Sequence, residues 1–363
     1  MKRRRLDAVI VCGEANLKSL IGFGCDNGVL VATRSTSTST STSTSFLHLL
    51  FYTDFRYAPE ARRKCSGLKV RDIKKFEISL PGRSAYPRCG GALASTSKKR
   101  SDDLRIGYEG EIPHRRFLAF QKFAKKAKFV DVSRDLLAIR AVKSAEEIVK
   151  LRAAESLDCA IYAEAVKRFR AGMTERRMAA IIKKLMIERG DGEAFETIVC
   201  VGANAAECHH VPDDTVWNGR EAVLIDMGVK LDGYCSDLTR NLLPKRMSAS
   251  YRRVYETVKR AHDAAIAAVK PGVSGRKLDA IARRIIREEG FGRCFGHSLG
   301  HGVGLEIHEA PNASKKSDWI LQPGMVVTVE PGIYLEGNLG VRIEDLVLIT
   351  EDGCEVLSRE AAI

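Results

Sequence analysis

A stretch of helical pattern that begins at Arg170 occurs a second time beginning at Lys270. RAGMTERRMAAIIKKLMIERG and KPGVSGRKLDAIARRIIREEG align at a constant offset of 100 residues. Gly172 matches Gly272, Thr174 matches Ser274, Arg176 matches Arg276, Ala180 matches Ala280, Ile181 matches Ile281, Glu188 matches Glu288 and Gly190 matches Gly290. Thr174 and Ser274 read as N-caps, their side-chain oxygens taking up amides that a first helical turn leaves without partners. Gly190 and Gly290 read as the matching C-caps. Each copy is followed by two apolar strand-like runs. A chain that repeats helix, capped helix and hairpin is constrained to fold as two like halves about a pseudo-twofold axis. Whatever one hairpin carries at the axis, the other then carries beside it.

What the hairpins carry is acidic. Val223–Leu243, VLIDMGVKLDGYCSDLTRNLL, holds an apolar run that Asp226 ends, a turn at Asp232-Gly233 and a second strand with Asp237. A hairpin about Leu231 and Asp232 would set Asp226 and Asp237 opposite, or nearly opposite, each other. Like charges across a ladder are destabilising, and an unpaired buried carboxylate costs several kcal/mol or shifts its pKa. A cation removes both penalties. Taken by itself the stretch fits an exposed pair of acids equally well. The second hairpin, Gln322–Thr350, repeats the pattern with Glu330 and Glu344, and between the two lies GHSLGHGVGLEIHE (Gly296–Glu309), glycine-rich with three imidazoles. Four carboxylates with imidazole make an oxygen-rich donor set, which suits two hard or borderline divalent ions such as Mn²⁺ or Co²⁺ better than a thiolate zinc site.

The five stretches IDMG, YCSDLTR, SLGHGVGLEIHE, VEPGIY and VRIEDLVLIT, in that order, resemble the metallopeptidases of the pita-bread fold, in the branch of Xaa-Pro aminopeptidase and Xaa-Pro dipeptidase (prolidase). The resemblance implies a ribonuclease-H-like α/β domain of creatinase/prolidase N-terminal type over residues 1–142, without catalytic duty of the ribonuclease kind. A pita-bread α+β catalytic domain with internal duplication over 143–363 would follow. It implies that Asp226 chelates one ion, that Asp237 and Glu344 bridge two, and that His301 and Glu330 complete one each. Mn²⁺ is expected, with Co²⁺ or Zn²⁺ as alternatives. Glu330 would act as general base on a water between the ions, with His209 and His308 bonding the substrate carbonyl or the oxyanion. His210 is the weaker choice beside His209; His297 and Arg342 would orient ligands. Prolidases that resemble this chain carry an arginine shortly after the His-Glu pair for the substrate's carboxylate. Here His308-Glu309-Ala310-Pro311-Asn312 has none. That favours an aminopeptidase acting on peptides with proline second, prolidase being the alternative, and a homodimer is expected.

Other readings meet obstacles. Gly296-His297-Ser298-Leu299-Gly300 fits the G-x-S-x-G of a serine hydrolase, but that motif needs a strand before it and a helix after it, and a glycine-rich loop running into a strand follows. H-E-x-x-H fails at His308-Glu309 for want of a second histidine. A non-catalytic peptide-binding role would suit a chain that had lost its ligand types, and none is lost. Methionine aminopeptidase is a further relative, usually without an N-terminal domain of this size.

The remaining sequence bounds the setting. The 363 residues suffice for two domains, and no apolar run approaches the roughly 18 residues of a membrane span. MKRRRLDAVIVCGE reads as a first strand rather than a signal peptide, and the ten scattered cysteines read as thiols of a cytoplasmic protein. Residues 1–142 hold 28 Lys and Arg against 13 Asp and Glu, a net +15, while the remainder is −2. No nucleic-acid motif accompanies that charge, so a solvated basic surface is expected, with neither nucleic acid nor membrane as partner. The Ser-Thr alternation of Ser35–Ser45 has nothing to bury and reads as a hairpin tip or mobile loop, and Pro81–Ser101 as a basic loop. Ser144 and Glu147 form a capping box that opens a long amphipathic helix.

Overall fold

Ala8–Val11 forms strand β1, and its alternation splits two cores: Ala8 and Ile10 face one cluster, Val11 the other. After β1 come α1 (Glu14–Ile21), β2 (Val29–Ser39), β3 (Thr42–Thr53), α2 (Ala58–Lys64), β4 (Lys69–Asp72), β5 (Arg105–Tyr108), α3 (His114–Phe123), β6 (Lys128–Asp131) and α4 (Ser133–Ala141). The six strands make one mixed sheet in the order β4-β3-β2-β1-β5-β6. Leu17 of α1, Ala61 of α2 and Leu136 of α4 cover one face and Phe120 of α3 the other. This is an α/β sandwich of the expected kind. The computed structural model describes residues 1, 4–39, 42–76 and 104–361, so the expected loop at Pro81–Ser101 lies outside them. The Ser-Thr tract continues the β2–β3 ladder as far as Ser39 opposite Thr42. The chain divides into compact units at Leu137/Ala138.

The second unit opens with the capping box: Ser144 Oγ accepts from Glu147 N, and Glu147 returns the bond to the Ser144 amide. Its helices are α5 (Ala145–Arg168), α6 (Glu175–Arg189), α7 (Ala249–Ala267) and α8 (Gly275–Glu288). Strands β7 (Gly192–Glu193), β8 (Ile198–Val201), β9 (Val223–Met227), β10 (Val229–Leu231), β11 (Tyr234–Cys235) and β12 (Leu238–Leu242) belong to the first half. The second half has β13 (Gly300–Gly302), β14 (Glu309–Ala313), β15 (Val326–Val329), β16 (Gly332–Leu335), β17 (Leu339–Arg342), β18 (Asp345–Ile349) and β19 (Cys354–Val356).

The duplication read from the sequence is present in the backbone bonding. Gly172 N donates to Trp217 O, Trp217 N to Met173 O and Glu175 N to Thr215 O; Gly272 N donates to Leu321 O, Leu321 N to Val273 O and Gly275 N to Trp319 O. Thr174 and Ser274 cap α6 and α8 through Arg177 N and Lys277 N. The C-termini differ. Gly190 is the C-cap with extended backbone, whereas α8 is capped by Glu289 and Gly290 follows in the left-handed region at φ 88°.

The hairpins are not the simple ones expected. Asp226 stands opposite Thr239, because β9 pairs with β12 from Met227↔Leu238 onward. The tip between them, β10 and β11, turns out into a different sheet with β7. The second hairpin behaves alike: β15 pairs with β18, while β16 and β17 form their own two-stranded tip. The acids therefore sit where strands change sheets. A bridge between Thr239 and Glu344 joins the halves there.

Arg240 fastens that junction. Its guanidinium is buried and donates to the carbonyls of Thr239, Glu344, Ser358 and Ala361 and to Asp345 Oδ1. Removing one partner of a buried ion pair costs about 3–5 kcal/mol, since the other charge stays behind uncompensated. Arg240→Leu is expected to lower the urea midpoint accordingly; a shift equivalent to under about 1 kcal/mol would show the cluster to be dispensable.

Candidate metal centre

Strand period two explains how β9 presents its acid. Val223, Ile225 and Met227 face the core built on Met178, Ile182 and Leu185 of α6, while Leu224 lies in the opposite cluster with Ile198 and Cys200. Asp226 shares the side of Leu224. Asp237 lies in the gap between β11 and β12, Glu330 directly after β15, and Glu344 between β17 and β18. His301 is the middle residue of β13, at a bulge, with glycine on either side. A Cβ at Gly300 would strike the Thr328 carbonyl, and one at Gly302 the Ala310 carbonyl. Only glycine there lets β13 lie so close to its neighbours and carry the imidazole.

These five side chains line one cavity of about 610 Å³, together with His209 and His308. Asp237, His301 and Glu344 each offer a ligand atom, and the three atoms all lie within 4.8 Å of one another. His301 Nε2 is 3.4 Å from Asp237 Oδ2 and 3.4 Å from Glu330 Oε1. His301 Nδ1 lies 3.1 Å from Gly302 O, which fixes the tautomer with Nδ1–H donating and the lone pair on Nε2. An acceptor nitrogen thus faces two carboxylates.

The electrostatics describe a site short of positive charge. Burial, then Glu344 and Asp226, push Asp237 well above the usual carboxylate range; burial, then Glu330 and Asp226, do the same to Glu344. Burial raises Glu330 to about 8 against the pull of Arg342. Burial, helped by His308, lowers His301 to about 4, so it is neutral near pH 7. Asp226 Oδ1 is buried with no hydrogen-bond partner. An orphaned carboxylate oxygen, a lone pair aimed at carboxylates and acids forced to keep their protons are all relieved by divalent cations. The donor set fits them.

Around the acids runs a chain of orienting contacts. Arg342 donates to Asp226 Oδ2 (2.5 Å), to Thr239 Oγ1 (3.2 Å) and to the Tyr334 hydroxyl (2.9 Å). Thr239 Oγ1 in turn donates to Glu344 Oε2 (2.6 Å). Tyr334 lies 2.9 Å from His297 Nε2, whose Nδ1 is held by Ser298 O. Burial, reinforced by Arg342, lowers His297 to about 4, so it accepts the tyrosine proton.

His209 and His210 part company. His209 is exposed on the cavity wall, whereas His210 is buried with Nε2 2.7 Å from Glu175 Oε2. Glu175 also accepts from Val201 N, Asn204 Nδ2 and Asp213 N. Glu175, His210 and Asp213 could in outline hold a cation, but the bonds just named already use the Glu175 oxygens, and the cluster clasps the loop that carries His209. The sequence reading passed over Glu175, although an acid at a first helical position before a histidine-bearing loop is a usable signal. Ser298 lines the cavity too, yet a strand follows it rather than the helix a nucleophile elbow requires. Cys208 is on the wall, where burial pushes its thiol up, and Cys235 is buried next to Leu305 O.

A duplicated α+β unit of this kind, with buried acids gathered about an imidazole, defines a class. The chain belongs to metallopeptidase family M24, whose pattern matches residues 149–351; residues 1–142 match the Creatinase/Prolidase N-terminal domain. It is a metal-dependent peptidase with the pita-bread fold and uses divalent metal ions. Among particular proteins, it is 32% identical over 350 residues to the uncharacterized peptidase YqhT of Bacillus subtilis, covering 96% of this chain and 92% of that one. Its structure is similar to the prolidase from Pyrococcus furiosus (TM-score 0.82, 30% identity, 99% and 98% of the two chains). It is similar also to the X-Pro aminopeptidase from Thermotoga maritima (TM-score 0.78, 32% identity, 97% and 95%).

Proposed function

We propose that the protein is an Xaa-Pro aminopeptidase, releasing the first residue of peptides whose second residue is proline. The observation that carries this reading is the charge of the cavity wall. Among the described lining residues the one arginine or lysine is Arg342, and it is committed to Asp226 and Tyr334. Asn312 lines the wall after the His-Glu pair and brings no charge. The free carboxylate of a dipeptide would find no uncommitted cation there, whereas a longer peptide places its carboxylate elsewhere. Ile198, Val211, Pro212 and Ile307 offer the proline ring an apolar surface. Residues 1–142 and 143–363 are taken as its two domains. None of the nine described cysteines is joined in a disulfide, in keeping with a reducing cytoplasmic setting.

Asp226, Asp237, His301, Glu330 and Glu344 would hold two divalent ions, Mn²⁺ foremost. Such ions polarise a scissile carbonyl and lower the pKa of water. Glu330 takes the proton of the attacking water and returns it to the proline nitrogen as the C–N bond breaks. His209 and His308, exposed on the wall, donate hydrogen bonds to the carbonyl oxygen as it gains charge. His301 and His308 pack edge to face at 4.4 Å between ring centroids, which limits where His308 can swing.

Incubating the Mn²⁺-loaded protein with Ala-Pro and with Ala-Pro-Ala tests the reading. We expect kcat/KM for the tripeptide to exceed that for the dipeptide by about tenfold or more, the loss of a charge-assisted contact being worth at least about 1.4 kcal/mol. The reverse preference would make the protein a prolidase. Release from neither peptide would remove the proline assignment.

A further inference from the structure

Two acids lie behind the centre, on the helix side, and nothing in the proposed chemistry uses them. Glu155 and Asp158 stand one turn apart on α5, and both are fully buried. Glu155 Oε1 and Asp158 Oδ1 are buried oxygens with no hydrogen-bond partner. The nearby cation Arg240 is spent on carbonyls and on Asp345. Two such groups are costly in a core, so what their other oxygens do matters.

Those oxygens meet consecutive residues of one segment. Between β11 and β12 the chain leaves one sheet for another, and its amides lose a common ladder. Cys235 N donates to Gly304 O and Ser236 N to Val229 O. Asp237 N, at the crossing, donates to Glu155 Oε2 at 3.2 Å. Ser236 Oγ accepts from Val229 N and lies 2.9 Å from Asp158 Oδ2. In the other half of the duplication the backbone does this work, because Glu344 N donates to Thr239 O. The offset of 100 residues carries along the uninterrupted helices α5 and α7. It sets Tyr255 against Glu155 and Val258 against Asp158, both buried. Packing at these positions therefore does not demand an acid. The acids occur in the half where the amide of a ligand-bearing residue has no backbone acceptor.

We propose that Glu155, with Asp158 bracing Ser236, is a positioning residue: it accepts the Asp237 amide, fixes the backbone that aims this carboxylate and so sets the affinity of the centre for divalent cations. The proposal rests on Asp237 being a ligand. The geometry requires an acceptor oxygen at the end of a five-atom reach, not a negative charge. Glu155→Gln keeps such an oxygen in place, while Glu155→Asp keeps the acid but withdraws it by one methylene.

Titrating the metal-free full chain with Mn²⁺ by calorimetry, alongside the melting temperature of each metal-free variant, separates these requirements. Glu155→Gln is expected to bind within about threefold of the parent. Glu155→Asp is expected to bind about 10–100-fold more weakly, the usual effect of losing a group that orients a ligand, with a metal-free melting temperature close to that of Glu155→Gln. Affinity kept by Glu155→Asp and lost by Glu155→Gln would overturn the proposal, as would affinity unchanged in both or lost in both. Asp237→Asn is the control for the underlying reading. Undiminished binding there would remove Asp237 as a ligand whatever the Glu155 variants show.

Discussion

Glu330→Gln is expected to lower kcat/KM for an Xaa-Pro-Xaa peptide by about a thousandfold or more while leaving the far-ultraviolet dichroism unchanged. The substitution keeps the size of the side chain and an oxygen for Thr328 Oγ1, which lies 3.2 Å from Glu330 Oε1. It removes the carboxylate that the proposed mechanism asks to take a proton and give it back. General acid–base catalysis alone contributes about 10²–10⁴-fold, and a weakened ligand adds to the loss. Burial holds the Glu330 carboxyl at about 8 in the metal-free chain, and a neighbouring cation would bring it down toward the working pH. Metal content measured after desalting separates the two contributions, because a variant that is loaded but inactive has lost the base. Unchanged turnover would take Glu330 out of the mechanism.

Much of this centre was readable beforehand because its side chains violate the pattern around them. Asp226, Glu330 and Glu344 interrupt apolar runs, Asp237 follows in the partner strand of the first hairpin, and the glycines about His301 announce a close approach that the Thr328 and Ala310 carbonyls explain. The duplication was readable because caps and helix faces repeat at one offset. Register was not. An alternating pattern shows which residues share a face but not where a strand leaves its partner for another sheet, so Asp226 stands opposite Thr239 rather than Asp237. Sidedness within a pair such as His209-His210 was settled by Glu175, thirty-five residues before His210 and joined to it only by folding. Glu155 and Asp158 are the instructive omission. Leu151, Ala154, Asp158 and Ile161 follow helical spacing along the buried face of α5. An acid at such a position looks in sequence like the margin of a solvated face, since the Ser236 hydroxyl and the Asp237 amide that these two acids accept from belong to a crossing no local pattern reveals.

Removing the metal should make stability fall as pH rises from about 6.5 to 8, and Mn²⁺ should counteract that fall. A carboxyl whose pKa is raised by folding keeps its proton in the native state after the unfolded chain has lost it, so unfolding releases protons and stability declines with rising pH. Asp237 and Glu344 are raised and Glu330 reaches about 8, against an unfolded value of about 4.3 for a glutamate. Below about 6.5, the ordinary imidazole value, the depressed His297 and His301 act in the opposite sense, since an imidazole held near 4 contributes stability that is lost as pH falls. Above it the carboxyls act unopposed by these two rings, each contributing a slope of about 1.4 kcal/mol per pH unit while it keeps its proton. Divalent ions need those carboxyls ionised, so binding competes with protons and strengthens with pH. At a free concentration of 100 times Kd it stabilises by about 2.7 kcal/mol. Melting temperatures of the chelator-treated protein at pH 6.5 and 8, with and without a fixed Mn²⁺ concentration, read both effects. The metal-free value should drop between the two pH values, the Mn²⁺-induced rise should be larger at pH 8, and Glu330→Gln should flatten the metal-free drop. A metal-free protein that gains stability over that interval, or a Mn²⁺ shift independent of pH, would mean that these acids are not held protonated together at the centre and that no cation is needed to relieve them.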